Sequence, residues 1–371
     1  MQEKYEKLFY ELKPDDIDLG SWTNKNQAFL HGEKDIPGAY MYAGFQMIYE
    51  PVKLEQEPIY HREEENLIFF GSKLPDVFSS WDAEIHVYMG PDLEHMEKVV
   101  VTDPTLIRVP KGWYHGPINV VRVGKPIYFQ AVLFASRPGY FKKLEDGTIY
   151  FAEEETHRRK FDPENPGPKS APWTVINEDG VEIYSETGTY DPNKAPNSRN
   201  TVITDEYKSQ PYSDATPLLA PKPALTETVR PVVLAMPKEE TQWGAWCPSP
   251  QAYFRGDMYM ENANYNVGFQ VFTMDNDMEA PHFHQGADEY IFFVGPNAEN
   301  IFDFDCRIEF YIGDDPEHME KKIITKPTVV RLPPTVWHCP ILFRDMKKPL
   351  VFQAAFLHGT WGTIIESKGE S

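Results

Sequence analysis

Residues 281–293 read PHFHQGADEYIFF, and residues 58–70 read PIYHREEENLIFF. Both stretches end on the same three apolar residues and share a proline and a histidine. The likeness runs on downstream. YMGPDLEHMEK (88–98) matches YIGDDPEHMEK (311–321), and RVPKGWYHGPI (108–118) matches RLPPTVWHCPI (331–341). The offset between these pairs is 223 residues; upstream, where QAFLHG (27–32) meets QAYFRG (251–256) and GFQ (44–46) meets GFQ (268–270), it is 224. A repeat of more than 100 residues is far longer than a solenoid unit, so it reads as a duplicated domain.

Each copy is made of short apolar runs such as YIFFV, IEFYI, TVVRL and PLVFQAAF, broken at close spacing by Gly, Pro, Asp and Asn. That rhythm predicts an all-β sandwich or barrel. With 33 prolines and 23 glycines in 371 residues, long helical patterns are scarce. The expected organisation is a first domain over 1–136, a Pro-rich connector over 137–230 and a second domain over 231–371. A structureless loop of the connector's length is unusual in a compact protein, so it is expected to lie partly extended against the domains. Within it WTVINEDGVEIYS (173–185) predicts a hairpin turning at Asp179-Gly180. The opening MQEKYEKLFYELKP (1–14) predicts a short amphipathic helix stopped near Pro14 rather than a signal peptide.

The formal net charge is −21. Nucleic acid and anionic membrane surfaces require a basic footprint, so neither is an expected partner. No apolar run approaches the roughly 20 residues of a membrane span. The cysteines, Cys247, Cys306 and Cys339, are odd in number and suggest no disulfide framework. A cytoplasmic protein is expected, and the exposed edges of a sheet leave a homodimer open.

His282 and His284 sit at i and i+2, which on a strand places both on one face. Glu289 follows His284 by five residues, an odd step that would aim it away, so the register must reset between them. The sequence QGA (285–287) supplies that loop, with Gly286 free to take positive φ. Glu289 then opens a strand that is apolar on both faces, where a lone carboxylate is costly unless paired or bound to a cation. Imidazole and carboxylate together suit Fe, Mn, Ni, Zn or Cu. These residues alone leave a divalent transition metal site and satisfied structural histidines equally open.

PHFHQGADEYIFFVG (281–295) followed by RLPPTVWHCPI (331–341) resembles the two sequence motifs of the cupin superfamily, H-x-H-x(3–4)-E and P-x-G-x-x-H. The resemblance implies a small jelly roll, or double-stranded β-helix, with a metal at its centre held by His282, His284, Glu289 and His338. Two such copies resemble a bicupin. There are departures. The glycine of the first motif falls near Asn276, and that of the second is Thr335, so the turn before His338 is expected to differ. The first copy keeps the second-motif glycine as Gly112. Carried across at constant offset, His284 and His338 correspond to His61 and His115, whereas His282 becomes Ile59 and Glu289 becomes Asn66. The first site therefore reads as degenerate. Glu65, at the family's shorter spacing from His61, leaves a weak second site of His61, Glu65 and His115 as the alternative to a purely structural barrel.

Residues kept in both copies are scaffold in the first instance: Arg108/Arg331, His95/His318, Gln46/Gln270, Gln130/Gln353 and Trp22/Trp246. Candidates for the substrate pocket are Arg331, Gln270, Gln353, Trp337 and Cys339. The resemblance implies a metal-dependent enzyme acting on a small organic molecule in the second domain, with dioxygenase chemistry on an enolic or phenolic compound slightly ahead. Non-redox isomerase, lyase or decarboxylase chemistry is the alternative, and a non-catalytic binding bicupin the third. A role like that of oxalate decarboxylases is less expected, because those bicupins resemble one another in having metal sites in both halves.

Overall fold

The structure, a computed structural model, describes residues 4–15, 21–23, 26–55, 58–73, 76–136, 139–143, 149–153, 173–176, 182–185, 225–239, 244–284 and 286–358. Within them the chain is almost entirely β. Each copy of the repeat builds two packed sheets. In the first copy, Thr105–Val109, Glu65–Gly71, Ile127–Leu133, Tyr42–Ile48 and Ala28–His31 lie side by side in one sheet. The other contains Ile59–Tyr60, Tyr114–Val123, Ala83–Gly90 and Glu97–Val101. In the second copy, Thr328–Leu332, Glu289–Val294, Leu350–Phe356, Asn266–Phe272 and Gln251–Arg255 form one sheet. Asn276–Met278, Trp337–Arg344, Arg307–Gly313 and Met319–Ile324 form the other.

The patterning of the strands says which face each sheet shows. Arg307–Gly313 alternates, with Ile308, Phe310 and Ile312 buried and Arg307, Glu309 and Tyr311 partly exposed, as a sheet with one wet face requires. Glu289–Val294 is buried at every position. One of its faces, with Ile291 and Phe293, lines the interior of its own barrel. The other, with Tyr290, Phe292 and Val294, packs into a core shared with Phe45, Met47, Ile68 and Phe70 of the first copy. Phe45 and Phe292 ring centroids are 5.2 Å apart, and Phe70 and Phe269 5.3 Å. The two barrels thus share a third apolar core, which accounts for strands that read as continuously hydrophobic.

The copies also exchange arms. Phe9–Glu11 pairs with Thr328–Leu332 of the second barrel, and Val233–Ala235 pairs with Thr105–Val109 of the first. The registers are equivalent: Phe9 lies opposite Val330, and Val233 opposite Ile107. A 3₁₀ turn precedes each arm, Glu6–Leu8 in one case and Arg230–Val232 in the other. Tyr5 and Leu8 are buried in the interior of the second barrel, Val229 and Val232 in that of the first. The amphipathic helix predicted for the N-terminus is therefore corrected to one 3₁₀ turn and a strand. Three residues of an exposed barrel edge offer that arm a ready-made ladder, which a lone short helix lacks.

From the connector, Trp173–Ile176 and Glu182–Ser185 pair antiparallel as the predicted hairpin, and its turn lies outside the described residues. Tyr140 and its neighbours in Gly139–Lys143 link this extension to the first barrel, with Phe141 opposite Tyr60.

Candidate metal centre

Backbone pairing brings the four residues of the second barrel together. His282 N donates to His338 O at 3.0 Å and His338 N donates to His282 O at 2.9 Å. Thr335 N donates to His284 O at 3.0 Å. Gly286 takes φ +79° and resets the register, so that Glu289 enters its strand opposite Leu332 and Phe356. All four side chains are buried. Glu289 Oε2 lies 3.2 Å from His284 Nε2 and 3.2 Å from His338 Nε2. Ligand atoms of the three histidines lie within 4.8 Å of one another.

These residues fit a cation. The Nδ1 atoms of His282 and His338 face the carbonyls of Ala280 and Val336, at 2.8 and 3.2 Å. A ring that donates through Nδ1 presents the lone pair of Nε2 to the centre, the arrangement that orients a metal-binding imidazole. Glu289 Oε2 and His338 Nε2 are buried and close, yet not aligned as a hydrogen bond. Burial opposes ionisation of Glu289, but His284 and His338 outweigh it and hold the carboxyl below its usual range. Burial, then the charge of His338, pushes the His282 pKa down to about 4, so its ring stays neutral through the physiological range. Three imidazoles and a carboxylate form a donor set suited to a divalent transition metal.

A cavity of about 360 Å³ opens onto this centre. Glu289 and His338 form part of its wall, and Tyr253, Phe254, Met278, Ile341 and Phe352 make it mostly apolar. Of the five sequence candidates for the pocket, Gln270 and Cys339 line it. The other three are not among the lining residues of this cavity. Arg331 binds Asp288 at 2.7 Å and the carbonyl of Pro37 in the first copy at 2.9 Å, so its charge is spent on the junction of the two halves. Gln353 exchanges hydrogen bonds with Gln130, at 2.7 and 3.2 Å. Trp337 packs against Phe283, ring centroids 5.0 Å apart. Arg331 and Gln353, both kept in the two copies, thus serve the junction of the halves. His95 and His318 are exposed and bind Asp92 and Asp315 in hairpin turns, in keeping with a scaffold reading. The thiol of Cys339 is shifted well upward by burial, then by Glu279 and Glu289, and is protonated near neutrality.

One residue in the cavity wall was missed. Glu279 sits at φ +55°, two-fifths exposed, with Oε2 3.5 Å from His282 Nε2. Burial, then the charge of Glu289, raises its pKa. The signal available in the sequence was an acid shortly upstream of the shared histidine in both copies, Glu55 before His61 and Glu279 before His284.

The first barrel requires a correction of register. Glu65 lies opposite Val109 and Leu133, as Glu289 lies opposite Leu332 and Phe356. Glu65, not Asn66, is therefore the counterpart of Glu289, and the loop after the histidine is one residue shorter. Glu65 Oε2 lies 3.0 Å from His115 Nε2 and 3.6 Å from His61 Nε2. His61 and His115 ring centroids are 5.1 Å apart, against 5.2 Å for His284 and His338. Ile59 stands opposite His115 where His282 stands opposite His338. One ligand position of four is changed, rather than two. The expected difference in the turn before His338 is also corrected. Thr335 adopts φ +70° where Gly112 has +78°, and Gly112 N donates to His61 O at 2.8 Å in the same way.

No family model matches the chain, and no curated protein matches it. Among solved structures it is similar to an oxalate decarboxylase studied for its substrate binding mode and reaction specificity switch. The identity is 11%, the match covers 91% of this chain and 74% of that one, and the TM-score is 0.50. A deletion variant of Bacillus subtilis oxalate decarboxylase OxdC gives the same identity, coverage and TM-score of 11%, 91% and 74%, and 0.50. So does a structure of the Bacillus subtilis enzyme from work on its Mn(II) centres, at 11%, 91% and 74%, and 0.50. The shared architecture is the bicupin fold. No helix among the described residues is long and apolar enough to cross a membrane.

Proposed function

We propose that the chain is a metal-dependent enzyme whose working centre is the second barrel, where His282, His284, Glu289 and His338 hold one divalent transition metal ion. The observation that carries this reading is the convergence of these buried groups at the wall of a largely apolar cavity. A bound ion of this class supplies Lewis-acid polarisation of a substrate oxygen and, if redox-active, electron exchange with O₂. The chain supplies the rest. Tyr253, Phe254, Ile341 and Phe352 offer apolar and aromatic surface to a planar molecule and keep water from it. Gln270 offers an amide to orient it, and Glu279 a carboxylate beside the ligand set. An enolic or phenolic substrate suits these walls, and oxygen-dependent cleavage of such a compound is the preferred reaction.

A second reading is non-redox lyase or decarboxylase chemistry, favoured by the fold held in common with oxalate decarboxylases. The two readings part on oxygen consumption. Replacing His338 by Ala is expected to remove the bound ion and the activity while leaving the fold intact, because the inward Nε2 of His338 has no hydrogen-bond partner within the protein. Metal content by elemental analysis checks it, and a variant that retains a full equivalent would overturn the ligand assignment.

A further inference from the structure

The second barrel differs from the first in what its glutamines are free to do. In the first, Gln46 Nε2 donates to Gln27 Oε1 at 3.3 Å. The counterpart of Gln27 is Gln251, which is turned away: its Oε1 accepts from Val271 N at 3.1 Å, and its Nε2 donates to the carbonyl of Pro248. Gln270, the counterpart of Gln46, therefore loses that partner. Gln270 is among the residues that line the cavity, and its buried Nε2 makes no hydrogen bond within the protein. An unmet buried donor costs about 1–3 kcal/mol, so a cavity wall that keeps one is suited to an oxygen brought in by a ligand.

Glu279 supplies the complementary group. It lies in a left-handed backbone conformation that disfavours side chains other than glycine, and its carboxylate is held beside His282 in the same wall. The cation among the lining residues, Arg255, is held by Glu239, with Nη2 to Oε2 at 2.5 Å and Nε to Oε1 at 3.1 Å. The wall also contains Asp257 and Glu289. Apart from the ligands Glu289 and His338, the cavity among the described residues thus presents two acids, Asp257 and Glu279, and one already paired arginine. A dicarboxylate chelating the metal would bring a second negative charge beside Glu279 and Asp257, with no unpaired arginine or lysine among the described lining residues to receive it. A molecule with a hydroxyl donor for Glu279 and an acceptor oxygen for Gln270 would satisfy both.

We propose that Glu279 and Gln270 set the substrate class of this centre: an uncharged or singly charged chelator of the catechol, enol or hydroxyketone type, with dicarboxylates turned away by Glu279. This deepens the reading of the second barrel as the working metal centre and rests on it. The test uses the full chain loaded with Co(II), whose visible spectrum reports a ligand reaching the ion. Catechol and oxalate are titrated separately into the wild type, Glu279→Gln and Gln270→Leu, with cobalt content measured for each. The wild type is expected to bind catechol at least tenfold more tightly than oxalate. Glu279→Gln is expected to keep its cobalt, to weaken for catechol about tenfold and to tighten for oxalate by a similar factor, the scale of one charged hydrogen bond. Gln270→Leu is expected to weaken catechol binding alone. A catechol-to-oxalate ratio that moves less than twofold in Glu279→Gln overturns the proposal, as does loss of cobalt from that variant, which would make Glu279 a ligand. A wild type that takes up no cobalt at all would instead sink the metal-centre reading beneath it.

Discussion

At the scale of single residues, the second barrel is organised around one buried carboxylate. The Nε2 atoms of His284 and His338 each lie 3.2 Å from Glu289 Oε2, and backbone carbonyls take up Nδ1 of His282 and His338, which leaves the Nε2 lone pairs of those two rings for a cation at the centre. The first barrel repeats the arrangement with Glu65, His61 and His115, and departs from it at Ile59. Restoring that position is a direct check. Ile59→His, made in a His338→Ala background that silences the second barrel, is expected to raise metal affinity on the order of tenfold to a hundredfold, the scale of changes around a metal's ligands. Metal uptake under dialysis measures it; no gain would mean that Ile59 does not stand where His282 stands.

At the scale of elements, a one-residue difference in a loop decides the comparison of the two sites. His61 and Glu65 are separated by three residues, His284 and Glu289 by four. The shared IFF run favours a gapless match, yet Phe293 pairs with Phe352 as Phe69 pairs with Phe129. The identical letters are thus one step out of register in space. A slip of one residue turns a strand's side chains to the opposite face, so the ladder, not the lettering, fixes the correspondence. The turn before the last histidine shows the reverse case, in which different residues hold one geometry. Thr335 accepts a left-handed φ that Gly112 takes freely, and a Cβ at Gly112 would meet nothing within 4 Å, so the difference is one of backbone conformation alone. Thr335→Gly is therefore expected to stabilise the chain by about 0.5–1 kcal/mol, the left-handed penalty less the entropy of glycine. The midpoint of urea unfolding checks it.

At the scale of the whole molecule, the two halves behave as the halves of a dimer. Gln130 and Gln353 exchange amide hydrogen bonds at their junction, both almost fully buried. Gln353→Leu alone is expected to cost about 1–3 kcal/mol by stranding Gln130, and adding Gln130→Leu to recover part of it. A double-mutant cycle in denaturant would show additivity if the pair were uncoupled. The exchanged arms make a further prediction. Residues 231–371 expressed alone would carry the arm Val233–Ala235 without its partner and would leave the edge of Thr328–Leu332 open. Such a fragment is expected to dimerise by placing each arm on the other's edge. Light scattering that finds a well-folded monomer would contradict it.

The sequence by itself determined the duplication, the all-β class and the identity of the converging histidines. Each of these is written in local pattern: periodicity, glycine placement and repeated motifs within a few residues of one another. It also carried the pairing of Trp173–Ile176 with Glu182–Ser185, through strand-forming runs on either side of the sequence Asp179-Gly180. Only the tertiary structure decided that Glu65 matches Glu289, that the arms cross over, that Arg331 and Gln353 serve the junction rather than the cavity, and that Glu279 and Gln270 face the space beside the ligands. Those facts depend on which strand lies next to which. Pairing partners more than two hundred residues apart leave no mark on local periodicity, because a buried face reads the same whichever neighbour buries it.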